Sequence, residues 1–236
     1  MIIFYIACMT FADQVINFTF KLAPNWNIPK EFEIIYPYNQ EYCREIFELF
    51  YRLYYEDTTP RRLLLGINPG RFGAGITGVP FTDPLTIETL TNTKNSLHKK
   101  PELSSQFILQ MIQSMGGPNT FFKQFFIGSV CPLGFTKEGK NCNYYDDKNL
   151  YKSIKGHLVD AINAQISFGA LTDIAYCIGQ GKNYEYLAAL NKENHFFRHI
   201  EPLPHPRWIM QYQKRNLNKH INTYVEKLRS VKLTGR

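Results

Sequence analysis

One polar amide, that of Asn68, stands where an apolar segment of the sequence runs into a glycine-rich loop. Leucines occupy residues 63–65, a run too short for a helix, and Gly66 breaks it, so the pattern predicts a buried strand that ends in a tight loop. Ligands of open α/β folds bind at such strand ends. Because glycine has no Cβ, the loop lets a ligand approach the main chain, where the Asn68 amide offers hydrogen-bond donors and an acceptor.

Phosphate binding is a common role of a glycine-rich loop after a strand, and this sequence argues against it. Gly73, Gly75 and Gly78 do not open a helix as GxGxxG requires, because Val79-Pro80 would break that helix. The Walker A pattern fails as well, since it needs a Gly-Lys pair that does not follow. The alternative role of Asn68 as a simple turn cap remains open at this point.

The elements that must position these side chains are predicted from apolar spacing and from breaks at glycine and proline. Helices are predicted at about residues 11–22, 40–55, 104–115, 149–168, 182–190 and 209–228, and strands at about residues 63–65, 125–130, 173–178 and 195–200. Residues 136–147 are predicted to be a loop. Because strand, loop and helix repeat along the chain, a single α/β domain with parallel connectivity is expected.

His205 is the second candidate for chemistry, in the segment Pro202-Leu-Pro-His-Pro206 after the last predicted strand. By itself, a histidine between two prolines is more often a structural loop residue than a functional one. A metal site would join it with His195 and His199, but no carboxylate is placed with them, so no metal is expected. The five cysteines form no CxxC pair, which indicates neither a zinc ribbon nor a disulfide framework and favours a reducing compartment.

Three ordered motifs resemble those of the single-strand-selective monofunctional uracil-DNA glycosylases, the SMUG family. They are GINPGRFGAGITGVPF at residues 66–81, Cys131-Pro-Leu133 with EGKN at residues 138–141, and LPHPRW at residues 203–208. The resemblance extends over most of the chain from residue 60 on. It implies a three-layer α/β/α sandwich with a central, mainly parallel four-stranded sheet, in one domain that spans residues 1–236 with its core at about residues 11–230.

The resemblance assigns catalysis to Asn68 and His205. Cleavage of a glycosidic bond in a deoxynucleotide develops positive charge on the sugar and negative charge on the departing base. The carbonyl oxygen of Asn68 would accept a hydrogen from water and aim that water at the sugar C1′, and His205 would donate a hydrogen bond to the base O2. Phe81 matches the family's stacking ring, and Ile67 belongs to the same substrate-binding motif.

Base selection is where this sequence departs from most SMUG proteins. They carry an asparagine two positions before Cys-Pro-Leu, and this chain has Ser129 there. An asparagine can match uracil O4 and N3–H together, whereas a serine hydroxyl offers one donor and little reach. We therefore expect weaker rejection of other deaminated bases, hypoxanthine and xanthine in particular. The alternative is that the Ser129 hydroxyl is buried, forms a hydrogen bond within the protein and does not contact the base.

The resemblance also implies contacts with DNA. Lys137, Lys140 and Asn141 belong to the segment that corresponds to a backbone-binding loop. The family's His-Pro-Ser-Pro-Arg is shortened here to His-Pro-Arg-Trp, so the side chain that wedges into the DNA stack is either Arg207, by type, or Trp208, by bulk.

Asp83 has two possible roles, because it lies close to the first motif in the sequence. It fits the N-cap of a short helix that begins at Pro84, and it could also assist the attacking water. The N-cap is the more common role of an aspartate before Pro at the first position of a helix.

Composition agrees with a nucleic-acid partner but does not prove one. The 236 residues, 44% of them apolar, suffice for a buried core, and a formal charge of +7 with a pI near 9.1 suits a polyanion. The apolar start MIIFYIACMTF is too short to span a membrane, and the chain could begin at Met9 instead. Residues 1–8 lie outside the residues that the structure describes.

The sequence thus predicts a DNA glycosylase that flips uracil out of single- or double-stranded DNA and removes it by hydrolysis. Because Ser129 replaces the base-reading asparagine, hypoxanthine or xanthine is a further expected substrate. No lysine stands in the active-site motifs, those of Asn68 and His205, as a Schiff-base nucleophile, so a lyase step is not expected. We expect no cofactor, and a monomer acting in the cytoplasm of a bacterium. The alternatives are a DNA-binding protein with an inactive site and a hydrolase of free nucleosides.

Overall fold

A four-stranded parallel sheet forms the centre of the computed structural model, which describes residues 9–22 and 24–230. Along the chain the strands are β1 (Phe32–Ile35), β2 (Arg62–Gly66), β3 (Phe125–Ser129), β4 (Gly134–Lys137), β5 (Lys140–Cys142), β6 (Ile174–Ile178) and β7 (His199–Leu203). The helices are α1 (Phe11–Lys21), α2 (Glu41–Tyr55), α3 (Ala74–Thr77), α4 (Pro84–Thr91), α5 (Leu103–Ser114), α6 (Pro118–Phe122), α7 (Lys148–Ser167), α8 (Lys182–Asn194), α9 (Pro206–Tyr212) and α10 (Leu217–Ser230).

The central sheet has the order β3-β2-β6-β7, and each neighbouring pair is parallel. Every residue of β2 and β6 is buried, as expected for inner strands that are covered on both faces. Because all four strands point the same way, their last residues lie at one edge of the sheet, here called the carboxyl edge, and their first residues lie at the opposite amino edge.

Helices cover both faces of this sheet, so the three-layer α/β/α architecture predicted from the sequence is confirmed. Successive strand residues point to opposite faces. The ring of Phe126 packs against Phe11 of α1 and Tyr55 of α2. The ring of Phe125 lies toward Tyr176, whose hydroxyl donates to a main-chain carbonyl of α10. One continuous apolar core therefore surrounds the strand that carries the glycine-rich loop.

A second, antiparallel sheet was not predicted. It has the order β1-β4-β5, and β4 and β5 form a hairpin over residues 134–142, most of which the sequence pattern wrongly assigned to a loop at residues 136–147. The hairpin turns at Glu138 and Gly139, which both have positive φ, of 50° and 68°. The residues of β5 are exposed or half-buried, so the sequence shows no apolar alternation there that would predict a strand. The strand β1, which pairs with β4, lies about a hundred residues earlier in the chain.

The predicted helix at residues 209–228 was also wrong as a single element. Helix α9 ends at Tyr212, a 3-10 turn covers Lys214–Asn216, and α10 begins at Leu217. The last strand starts at His199 rather than near residue 195, because α8 continues to Asn194 and ends on His195 with φ of 56°. His205 consequently lies at the N-cap of a short helix.

Candidate active site

A cleft of about 680 Å³ opens at the carboxyl edge of the central sheet. The loop after β2, the end of β3 and the exposed face of α9 contribute most of its walls. Of the residues that the sequence analysis singled out, the cleft is lined by Ile67, Asn68, Phe81, Ser129, Asn141, His205, Arg207 and Trp208. Asn68, Phe81 and His205 thus border the same cleft, although His205 lies more than a hundred residues after the other two in the sequence.

The Asn68 amide is held in one orientation by three main-chain groups. Its Nδ2 donates to the carbonyl oxygens of Pro69 at 3.2 Å and Cys142 at 3.3 Å, and its Oδ1 accepts from the N–H of Tyr144 at 3.1 Å. A carbonyl oxygen has two lone pairs, so Oδ1 keeps one acceptor position for a further donor. Asn68 therefore does more than cap a turn, because its hydrogen bonds reach Cys142, at the end of β5, and Tyr144, two residues further on.

His205 is held as a neutral hydrogen-bond donor. Its Nδ1 accepts from the N–H of Arg207 at 3.2 Å, which closes the N-terminus of α9 and leaves the ring proton on Nε2. Burial, with a smaller contribution from the Arg207 charge, lowers the pKa of His205 from its usual 6.5 to about 4. The imidazole is therefore uncharged near neutral pH and can still donate from Nε2.

Phe81 forms one wall of the cleft, with its ring centre 6.1 Å from that of His205. Its backbone has φ of 55°, a left-handed conformation that is uncommon for an aromatic residue. The ring fits closely over Gly66, since a Cβ at position 66 would lie 2.7 Å from Phe81 Cε2. The glycine at the end of β2 is thus required to seat this ring.

We expect Gly66→Ala to displace the Phe81 ring and to lower the excision rate by about tenfold or more, because the wall of the cleft loses its position. Gly156→Ala is the matched control, because a Cβ at that exposed position of α7 meets nothing within 4 Å and the backbone there, as at Gly66, does not have a positive φ. Single-turnover rates and melting temperatures of both variants would check this. Loss of stability without a change in rate for Gly66→Ala would contradict it.

Ser129 and Ile67 lie at the floor of the cleft, at the ends of β3 and β2. Both are half-buried, and the main-chain ladder continues past the strands because Ile67 accepts at its carbonyl oxygen from Cys131 N–H. Gln165 of α7 donates to the carbonyl oxygen of Ser129 at 3.0 Å, which fixes the backbone there. The Ser129 side chain is thus presented to the cleft from a rigid strand end.

The hairpin contributes Asn141 to the cleft but not its lysines. Asn141 Oδ1 accepts from the N–H of Arg71 at 3.2 Å, and Arg71 in turn donates to the carbonyl oxygen of Gly139. Lys137 faces β1, with its Nζ 3.8 Å from a Glu31 carboxylate oxygen, and Lys140 is exposed outside the cleft. The structure therefore does not bring Lys137 and Lys140 together with the other predicted site residues.

The predicted wedge lies on a helix and not in a loop. Arg207 and Trp208 belong to the first turn of α9, and Gln211 and Tyr212 repeat the same face one turn later. Tyr212 is 66% exposed and Trp208 is 40% exposed. The sequence analysis missed Tyr212, although exposed aromatic residues at i and i+4 on a helix, beside a histidine that is predicted to be catalytic, are a usable signal.

Asp83 is a helix cap and does not face the cleft. It is fully buried, its Oδ1 accepts from the N–H groups of Leu85 and Thr86, and its Oδ2 accepts from the N–H of Glu102 at 2.7 Å. Both carboxylate oxygens are engaged by main-chain donors, so the alternative role toward water is excluded by geometry and the N-cap role is confirmed.

Within residues 9–22 and 24–230, no group of three or more His, Cys, Asp or Glu side chains is placed to hold a metal ion. His199 instead pairs with Glu201 at 3.2 Å. Cys43, Cys131, Cys142 and Cys177 are free thiols. Over the same residues, no helix has the length and hydrophobicity that crossing a bilayer demands.

A buried polar path joins the Asn68 side of the cleft to the His205 side. Tyr144, whose N–H holds Asn68, is fully buried and donates from its hydroxyl to Asn183 Oδ1 at 2.9 Å. Asn183 Nδ2 donates to the carbonyl oxygen of Ile178, the last residue of β6, at 3.2 Å. The next residue, Gly179, lies under the His205 ring.

We expect Tyr144→Phe to lower kcat by about fivefold with little change in KM, because Asn183 Oδ1 loses its donor and the clamp on Asn68 loosens. Tyr186→Phe is the matched control, since that half-buried ring packs on Tyr144 but its hydroxyl does not join the path. The decisive measurement adds Tyr144→Phe to Asn68→Ala. An undiminished further loss in that background would contradict a role through Asn68.

Comparison with known proteins places the chain in one family. Residues 53–229 match the family described as the Uracil DNA glycosylase superfamily. The chain also resembles the crystal structure of wild-type Pedobacter heparinus SMUG2, with a TM-score of 0.91, 42% sequence identity, and coverage of 94% of this chain and 98% of that chain. The chain belongs to the uracil-DNA glycosylase superfamily and, within it, to the SMUG family.

Proposed function

We propose that this protein is a monofunctional uracil-DNA glycosylase of base excision repair, which extrudes a deaminated nucleotide and hydrolyses its N-glycosidic bond. The single observation that carries the proposal is the convergence of the Asn68 amide, the His205 imidazole and the Phe81 ring on one cleft at the carboxyl edge of the sheet. Membership of the superfamily supports the same activity.

Asn68 positions the nucleophile. With Nδ2 committed to two carbonyl oxygens and one lone pair of Oδ1 to Tyr144 N–H, the free lone pair accepts one hydrogen of a water molecule and turns its oxygen toward C1′. The amide removes no proton. Its contribution is orientation, which suits a reaction whose sugar already carries positive charge as the bond breaks.

His205 stabilises the leaving base. As the glycosidic bond lengthens, negative charge collects on the base, and a hydrogen bond from Nε2–H to O2 becomes stronger in the transition state than in the ground state. A neutral imidazole performs this task without losing its bond from Arg207 N–H, because Nδ1 remains an acceptor. A donor of this kind contributes about 2 to 4 kcal/mol by analogy with oxyanion holes.

The cleft walls recognise the flipped base. Phe81 stacks on the base, and Ser129 and Ile67 meet its edge from the floor. The Ser129 hydroxyl makes one hydrogen bond and imposes no paired donor and acceptor pattern, so hypoxanthine and xanthine enter with uracil. On the outside, Arg207 or Trp208 fills the gap left in the DNA stack, and Lys137, Lys140 and Asn141 follow the DNA backbone.

We expect Ser129→Asn to raise the ratio of uracil to hypoxanthine release by about fivefold to tenfold, since the amide adds roughly one discriminating hydrogen bond. The measurement uses oligonucleotides that carry uracil, hypoxanthine, xanthine or thymine opposite each normal base, with alkaline cleavage of the abasic product. Turnover of uracil without detectable release of either purine by the unmodified chain would contradict the broad range.

The same assay tests the activity itself. Excision of uracil from an oligonucleotide by the unmodified chain, abolished in Asn68→Ala, is the expected result. A chain that binds the oligonucleotide and cleaves nothing would be an inactive binder, and one that cleaves free deoxyuridine but ignores the oligomer would be a nucleoside hydrolase. We further propose that the protein acts as a monomer in the cytoplasm. Sedimentation with and without DNA tests its oligomeric state.

A further inference from the structure

A second large groove opens at the amino edge of the central sheet, away from the catalytic cleft. Its volume is about 1190 Å³, and it has no role in the chemistry described above. The strands between the two edges have five residues each, which separates the edges by about 13 Å, so one ligand at the catalytic cleft does not also fill this groove.

The groove is more strongly basic than the catalytic cleft. The cleft is lined by two cations and one carboxylate, Lys100, Arg207 and Glu102. The amino-edge groove is lined by four cations and one carboxylate, Arg62, Lys123, Lys192, Arg198 and Asp173. Lys123, Lys192 and Arg198 are exposed and form no ion pair within the part of the chain that the structure describes.

Charged side chains line the amino edge of the sheet. Lys123 precedes β3, Arg62 begins β2, Asp173 precedes β6 and Arg198 precedes β7, in the spatial order of the strands. Neighbouring strands lie about 4.8 Å apart, so the distance from β3 to β7 is about 14 Å. That distance exceeds the size of a single phosphate and matches several consecutive phosphates along one DNA strand.

The floor of the groove holds a polar pair, the buried Arg62 and the half-buried Asp173, that is not fully hydrogen-bonded. Arg62 is 4% exposed, and its Nη2 donates to Asp173 Oδ2 at 2.7 Å. Among the residues that the structure describes, the buried atoms Arg62 Nε and Asp173 Oδ1 have no hydrogen-bond partner. Buried unpaired atoms are uncommon in folded proteins, and here they lie between Lys123 and Arg198 along the amino edge. Helix ends explain only part of the charge: Lys123 and Lys192 offset the negative ends of α6 and α8, but Arg198 lies beyond a helix.

We propose that the amino-edge groove binds the phosphate backbone of a second DNA segment while the catalytic cleft engages the first. Its buried phenylalanines, Phe196 and Phe197, are unavailable for stacking, so the contact is electrostatic and independent of base sequence. A protein with two such surfaces passes between DNA segments without becoming free. This proposal rests on the proposed function in one respect, namely that the first DNA segment occupies the catalytic cleft.

The test compares two triple variants with the same change of charge. The groove variant is Lys123→Glu, Lys192→Glu and Arg198→Glu, and the control is Lys21→Glu, Lys30→Glu and Lys152→Glu, at exposed positions that line neither groove. Melting curves establish that each variant is folded. Native mass spectrometry at low salt then counts uracil-free 12-mer duplexes per chain, and fluorescence follows the release of a labelled duplex as unlabelled duplex is added.

The expected result is two duplexes per unmodified or control chain and one per groove variant. Release from the unmodified chain should accelerate with competitor concentration, and this dependence should fall by about tenfold or more in the groove variant. Single-turnover excision from a short uracil oligonucleotide should stay within about twofold in all three. One duplex per chain throughout, or groove binding of orthophosphate or a mononucleotide alone, would overturn the proposal. Two duplexes without any excision would overturn only the proposed function.

Discussion

Asn68→Ala excises uracil at least about a hundredfold more slowly than the unmodified chain and still binds the substrate: this is one of the two largest effects that we expect. The alanine removes the acceptor that aims the water, and misplacement of a nucleophile by about 1 Å costs about a hundredfold. Binding persists because the stacking ring, the cleft floor and the face of α9 are untouched. Single-turnover excision and fluorescence anisotropy measure the two quantities separately.

Asn143→Ala is the matched control, because this second amide lines the same cleft but does not hold Asn68. With enzyme in excess we expect its excision rate to change by less than about threefold. Asn68→Asp separates the two sides of the amide. The carboxylate keeps an acceptor for Tyr144 N–H, but an oxygen replaces the Nδ2 donor and faces the carbonyl oxygens of Pro69 and Cys142. A rate for Asn68→Ala within about fivefold of the unmodified chain would show that the water is positioned elsewhere.

His205→Ala should lower kcat by about a hundredfold to a thousandfold, the usual cost of losing a donor to a developing anion. The alanine also removes the N-cap of α9, which costs about 1 kcal/mol of stability. His205→Asn separates the two effects, since asparagine is a good N-cap but does not have the reach of the imidazole. We expect equal losses of rate in both variants, with stability retained in His205→Asn.

The pH dependence follows from the lowered pKa of His205. Because the imidazole is neutral above about pH 4, kcat should stay flat from about pH 5.5 to 8 with respect to this group. The stability contribution has the opposite sign to that of a salt-bridged histidine: the unfolded chain binds the extra proton, so stability is lost as pH falls from about 6.5 toward 4. A step in kcat centred near pH 6.5 would contradict a neutral donor.

The parts of the fold that the sequence predicted are those with strong local patterns. The leucine run of β2 and the apolar stripe of α7 are both continuous and buried, so periodicity sufficed. The hairpin β4–β5 was missed because the residues of β5 are exposed or half-buried, and because β1, which pairs with β4, is distant in sequence. The break between α9 and α10 failed because apolar spacing continues across the 3-10 turn.

The same distinction applies to the site. Asn68, Phe81 and His205 were placed by motifs that keep their spacing along the chain, and the structure brings them together. The clamp on Asn68 was not predictable, because it consists of main-chain groups of Cys142 and Tyr144. Lys137 and Lys140 were assigned to DNA from a loop, and in a hairpin their side chains lie outside the cleft.

The glycine-rich loop meets the second sheet backbone to backbone. A methyl group at Gly134 would overlap the carbonyl oxygen of Pro69, and one at Gly75 would lie 2.6 Å from that of Gly70; Ile35 of β1 closes both spaces. Residues without any functional group thus hold the loop that carries Asn68 against the second sheet. We therefore expect that even an alanine at Gly75 or Gly134 would displace this loop.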